Sequence, residues 1–299
     1  MKRLALLAVL FVFSAADPSI ADDACSLRQV ASMDMGSDVF GRVTVPMTVK
    51  GTPLAMLVDT GGYISALNQS VVRKLDLSTT YLMNGRYVQM FGGVHLNQTA
   101  EAHDVLLGNM KASSMPVFVV PDGILGGPDG ILAPDILGAY DAEFDFANNK
   151  FNLYSQDHCD GQVVYWTADP YAAVPFGIEG GTHITVNVTL DGKTFRAVID
   201  TGAARSLMSL DAAKDAFDIA DNDPNLKLAP DGHTYTYPFK TLDLQGVSVK
   251  NPAFVLMPQS VAKVRGLPDM IIGIGILRQL HLYIAYRERK LYATPASAH

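Results

Sequence analysis

Three observations in the sequence predict a mainly β protein built from two similar lobes. Apolar residues alternate with a period of two, glycine turns fall at matching places, and most of the chain is written twice. Val43, Val45, Met47 and Val49 alternate with smaller or polar residues, and Ile184, Val186, Val188 and Leu190 do the same. Such alternation marks strands with one buried face. Lys50-Gly51 and Asp191-Gly192 follow directly, and glycine accepts the positive φ that a tight hairpin turn requires. Each hairpin returns through a short apolar strand, Leu54–Val58 or Phe195–Ile199, and ends at Asp-Thr-Gly.

The repeat extends well beyond these strands. Val43–Gly61 lies over Ile184–Gly202 without a gap at an offset of 141 residues, and Ile131–Leu137 lies over Ile271–Leu277 at 140. Phe144, Phe146 and Lys150 answer Ile284, Tyr286 and Lys290. A register held this closely points to gene duplication and to halves that face each other, with a boundary between 160 and 170. The expected units are residues 22–160 and 161–299. Helical signals are few, at Asn68–Leu75 and Asp211–Phe217, again at equivalent places. Gly92-Gly93 within Tyr87–Thr99, and Asp231-Gly232 within Leu226–Pro238, read as longer hairpins midway through each half.

Composition narrows the function classes. The 299 residues are 48% hydrophobic and 18% charged, the profile of a packed globular chain. The net charge is −7 with no dense basic cluster, which argues against a nucleic-acid partner. Lys2 and Arg3, the apolar run Leu4–Ala16 and the small residues Ser19-Ile20-Ala21 read as a secretory signal peptide, residues 1–21, cleaved on export to the periplasm or the medium. The alternative is an uncleaved anchor, for which the apolar run is short of the roughly 20 residues that span a bilayer. The later stretch Met270–Tyr286 is broken by Arg278, Gln279 and His281, so stable membrane insertion is not expected after cleavage. Cys25 and Cys159 are an even pair, which in an exported chain favours a disulfide over a metal site; two buried free thiols are the other reading. The seven histidines show no ligand spacing, and the glycine-rich stretches at Gly123–Gly130 and Gly273-x-Gly275 lack the remainder of a nucleotide-binding motif. No metal and no cofactor are expected.

Asp59 and Asp200 each stand where an apolar strand turns into Thr-Gly, at the same point of the repeat. With these residues in place, both halves of the sequence, about 38–154 and 171–292, resemble the aspartic peptidases, and within them the retropepsin-like group of exported or membrane-linked bacterial proteins. In that family an Asp-Thr-Gly follows an apolar strand, a hairpin flap comes next, and an apolar-apolar-Gly segment about seventy residues later packs behind the loop. Here Ile131 follows Asp59 by 72 residues and Ile271 follows Asp200 by 71.

The resemblance implies two β-barrel-like lobes of the acid-protease fold in one monomeric chain, with peptide or protein as substrate. It implies that Asp59 and Asp200 meet across the lobe junction and share a water, one acting as base and the other, protonated, binding the scissile carbonyl. Thr60 and Thr201 then lock the loops together, and Gly61 and Gly202 let the backbone approach the carboxylates. The flap is expected at Tyr87, Phe91, Gly92 and Gly93. Ser65 and Ser206, six residues after each Asp, are read either as donors supporting the loops or as ordinary capping serines. Two residues depart from the family pattern: Gly62 stands where Ala or Ser is usual, and Ala133 replaces the glycine behind the loop, an added methyl that predicts crowding of about 1–3 kcal/mol. The competing reading is a bilobal binding protein with weak or absent hydrolysis, since fold does not guarantee activity. A glycosidase also uses two carboxylates but leaves the duplication and Thr-Gly unexplained.

Overall fold

The computed structural model describes residues 25–90, 93–258 and 269–296. The leader at residues 1–21 and the flap residues Phe91 and Gly92 lie outside them. Both predicted first hairpins form, Val43–Val49 with Thr52–Val58 and His183–Leu190 with Lys193–Ile199. Their turns have positive φ at both central residues, +49° and +73° at Lys50 and Gly51, +43° and +83° at Asp191 and Gly192. That geometry matches the right-handed twist of the flanking strands. The two expected helices are Gln69–Lys74 and Leu210–Phe217.

In the first half six strands close into a barrel. Val43–Val49 pairs with Thr52–Val58, which pairs in parallel with Gly130–Leu132; Ala66–Asn68 and Met110–Val120 follow, and Gln98–Leu107 returns to Val43–Val49. Val45, Met47, Met56, Val58, Leu67 and Leu132 fill it and are essentially solvent-free. Each such side chain contributes about 1.5–3 kcal/mol through burial.

The second half repeats the strand order but does not close, so one true barrel stands where two are expected. Its ring runs His183–Leu190, Lys193–Ile199, Met270–Ile272, Ser206–Ser209 and Phe254–Met257. The closing strand is broken in two: Tyr235–Thr236 pairs with Phe254–Met257, and Thr241–Asp243 pairs with His183–Leu190. Pro238 lies in the gap and has no N–H to give a ladder, and the Phe239 N–H turns back onto the Tyr237 carbonyl at 3.0 Å.

Beneath both rings lies a shared run of six strands, three from each copy of the repeat. Its order is Gln29–Asp34, Lys150–Tyr154, Asp141–Asp145, Leu280–Ala285, Lys290–Pro295 and Ala172–Glu179. The copies meet where Ala142 faces Ile284 and Glu143 faces Tyr283. Glu143 is fully buried there and accepts four hydrogen bonds: Asn152 Nδ2 at 2.6 Å, Tyr165 hydroxyl at 2.8 Å, His281 Nε2 at 2.9 Å and Tyr154 hydroxyl at 3.1 Å. Asp141 similarly holds His158 Nε2 at 2.6 Å. The two cysteines form a disulfide, Cys25–Cys159, with Cα atoms 4.7 Å apart, so the free-thiol reading is excluded. Among the described residues no helix is long and apolar enough to cross a membrane.

Candidate active site

Each Asp-Thr-Gly loop begins where a buried strand is stapled to the strand behind it. Thr52–Val58 runs parallel to Gly130–Leu132, and the Asp59 N–H donates to the Leu132 carbonyl at 2.9 Å. In the second copy Lys193–Ile199 runs beside Met270–Ile272, and the Asp200 N–H donates to the Ile272 carbonyl at 3.0 Å. The apolar-apolar segments therefore fix where each aspartate leaves its strand.

The two loops meet. Thr60 and Thr201 are completely buried and grip each other through four hydrogen bonds. Thr60 Oγ1 accepts the Thr201 N–H at 3.0 Å and donates to the Ile199 carbonyl at 2.9 Å; Thr201 Oγ1 accepts the Thr60 N–H at 3.1 Å and donates to the Val58 carbonyl at 2.6 Å. This sets the Asp59 and Asp200 carboxyls side by side, each against the opposite copy's glycine and both partly exposed at the junction. Gly61 packs on the carboxyl of Asp200 and Gly202 on that of Asp59, and a Cβ at either position would overlap the opposite carboxyl. The glycines are thus needed for approach across the junction, a closer role than letting amides reach their own aspartate.

Electrostatics follow from this crowding. Burial first, and then the Asp200 charge, push the Asp59 carboxyl well above the ordinary carboxylate range. Burial also raises Asp200, but the hydrogen bond from Asp59, the N–H groups of Ala203 and Gly202, and the charge of His183 pull it back. Two carboxyls this close cannot both ionise without cost, so the pair holds one proton more readily than either acid would alone; the aspartic-protease pair is a known instance of this behaviour.

Ser65 and Ser206 are buried and play one structural role twice. Ser65 Oγ accepts the Ala133 N–H and Ser206 Oγ accepts the Gly273 N–H, each at 3.0 Å. Ser65 also donates to Asp135 at 2.7 Å. These serines hold the backing segment behind each Asp-Thr-Gly loop.

The predicted crowding at Ala133 does not arise, because Gly62 vacates the space. A Cβ on Gly62 would lie 3.2 Å from the Ala133 methyl and 2.9 Å from Asp59 Oδ2. The second copy has the reverse arrangement, Ala203 with Gly273, and a Cβ on Gly273 would meet the Ala203 carbonyl at 2.6 Å. The two departures from the family pattern are one compensated exchange.

Between Tyr87 and Thr99 a hairpin forms, Val88–Gln89 pairing with His95–Leu96. Leu96, Met90 and Val94 pack with Leu57, Leu125 and Ala133, so its base rests on the segment behind the Asp59 loop. Gly93 takes a positive φ of +85° at the turn, and the exposed Tyr87 ring stacks on His95 at 3.9 Å.

Other contributors escape a reading of motifs. Arg42 is paired with Asp38 and reaches across to the Gly202 carbonyl with Nη1 at 3.4 Å. Thr182 Oγ1 donates to the Gly62 carbonyl at 3.2 Å from the other side. Each loop is therefore braced by the segment just ahead of the opposite copy's first strand. The repeat does not announce the pair, since Arg42 aligns with His183 and Thr182 with Gly41. Among the described residues no group of three or more His, Cys, Asp or Glu is arranged to hold a metal ion.

The aspartyl protease family matches this sequence twice, over residues 45–136 and residues 186–276, together more than half of the chain. The chain belongs to the aspartyl protease family, as a duplicated member carrying both copies. No curated protein matches the chain closely enough to count as a relative.

Proposed function

We propose that the protein is an exported aspartic endopeptidase in which Asp59 and Asp200 activate one water between two lobes, residues 22–160 and 161–299. The observation that carries this reading is the meeting of the two carboxyls over the Thr60–Thr201 grip, each abutted by the other copy's glycine. Family membership supports a peptide or protein substrate. The even cysteine pair, joined here, suits an oxidising compartment reached after removal of residues 1–21. The protein is taken to act as a monomer, since one chain supplies both aspartates.

In the reaction, the water oxygen bonds to the scissile carbonyl carbon while its proton passes to the ionised carboxylate. The carbonyl π electrons move to oxygen, which takes the proton of the neutral carboxyl. Collapse of the resulting diol breaks the C–N bond as the amine nitrogen takes a proton, leaving a free acid and a free amine. An extended peptide suits a junction walled by strands, and in this reading the Tyr87–Thr99 hairpin closes over it and excludes water.

The test is cleavage of an unbiased peptide mixture by the mature protein between about pH 3 and 8, beside Asp59→Asn and Asp200→Asn. Cleavage lost in both variants is the expected result. A folded parent as inert as its variants overturns the peptidase reading and redirects the search to ligands held at the junction.

A further inference from the structure

The two aspartate loops are copies of one sequence, yet their carboxyls are not held alike. Asp200 Oδ1 accepts two backbone N–H groups, from Gly202 at 2.8 Å and Ala203 at 3.0 Å. Residue Ala203 is held on its other side as well, its carbonyl accepting the Ile274 N–H at 2.8 Å. In the first copy Pro134 occupies the place of Ile274, and proline has no N–H to offer. The Gly62 carbonyl is taken instead by Thr182 Oγ1, and the Gly62 N–H points to the Asp59 backbone oxygen at 3.3 Å, as the Ala203 N–H also does to that of Asp200 at 3.4 Å. Asp59 Oδ1 is left with one firm backbone donor, Gly61 at 3.1 Å, and the Gly62 N–H acts on the carboxyl more weakly.

Positive groups favour the same side. Arg42, itself paired with Asp38, touches the Gly202 carbonyl, and the His183 charge acts on Asp200. Backbone donors and nearby cations stabilise an ionised carboxylate, so the better-held member of the pair keeps the charge. Burial raises both members, so the difference between them lies in the bonding.

We propose that Pro134, acting through the backbone of Gly62, divides the labour of the pair, leaving the shared proton on Asp59 and the charge on Asp200. Pro134 is a positioning residue, and Gly62 with Ala133 is the packing that accommodates it. Resting on the peptidase reading, this assigns the steps: Asp200 takes the proton of the attacking water, and Asp59 gives its proton to the carbonyl oxygen of the substrate.

The experiment is a pH titration of the mature protein labelled with carboxyl-¹³C aspartate, the two signals assigned through Asp59→Asn and Asp200→Asn. The carbon shift reads proton occupancy at each site and needs no substrate. Between the two ionisation steps of the pair, Asp59 is expected to hold the proton with at least roughly a tenfold preference, one pKa unit. Pro134→Ala, which restores an N–H, and Gly62→Ala/Ala133→Gly/Pro134→Ile, which writes the second copy's residues into the first, are both expected to shrink that preference. Occupancy mainly on Asp200, or a preference unchanged in folded Pro134→Ala, overturns the proposal. Failure to cleave peptides with the expected occupancy would remove the catalytic roles and leave the assignment standing; cleavage with the opposite occupancy would overturn the assignment and leave the peptidase reading standing.

Discussion

Thr60 and Thr201 exchange hydrogen bonds across the junction, each hydroxyl accepting the other's backbone N–H and donating to the carbonyl just ahead of the opposite aspartate. The bonds join residues 139 to 143 apart in sequence, so neither loop can reach its geometry alone. Thr60→Val keeps the shape but leaves a buried N–H and a buried carbonyl unpaired. Unfolding in urea should show a loss of about 1–3 kcal/mol. Thr60→Ser, which keeps the hydroxyl, should recover most of it.

Stability should depend on the ionisation of the aspartate pair in a definite direction. Asp59 and Asp200 are both raised in the folded state, so they bind protons more tightly there than in the unfolded chain. Their contribution is fully present below the unfolded value, about 3.9, and is lost as pH rises through the raised folded values. Asp141, raised by burial, acts with the same sign. Denaturant midpoints measured across this range should fall with rising pH in the parent, with a shallower fall in Asp59→Asn.

Glu143 tests how much the shared six strands depend on their polar centre. Replacing it by Ala removes the shared acceptor of Asn152, Tyr154, Tyr165 and His281, and leaves buried Asn152 and His281 without that partner. The expected loss is about 3–5 kcal/mol. Glu143→Gln keeps an acceptor oxygen and should lose less; equal losses would show that the hydrogen bonds matter less than the packing.

The disulfide holds the strand Gln29–Asp34 near the edge of that sheet. Cys25→Ser with Cys159→Ser should lower the unfolding free energy by about 2–4 kcal/mol. The slope of the denaturant curve is also expected to rise, because the unfolded chain is no longer looped over the separation of 134 residues.

Much of the fold is legible because its signals are local or repeated. Lys50-Gly51 and Asp191-Gly192 name their turns by chemistry alone, and Asp59 with Asp200 is found by laying one half over the other. What escapes the sequence is partnership at a distance. Ser65 bonds a backbone group 68 residues away, and Arg42 one 160 residues away, with no motif to announce either. Pro238 is visible in the chain, but its effect appears only when its flanking residues fail to form the one strand that Gln98–Leu107 makes in the first copy. The exchange of Gly62 with Ala133 reads as two separate irregularities until their atoms are seen side by side.

The pairing of Pro134 in one copy with Ile274 in the other has a meaning for heredity. When two identical chains assemble a site, every substitution arrives in both loops at once, and a change that helps one carboxyl burdens its twin. Joining the copies in one polypeptide lifts that constraint. Each loop then answers to its own codons, and the two sides of a once symmetric centre become free to specialise.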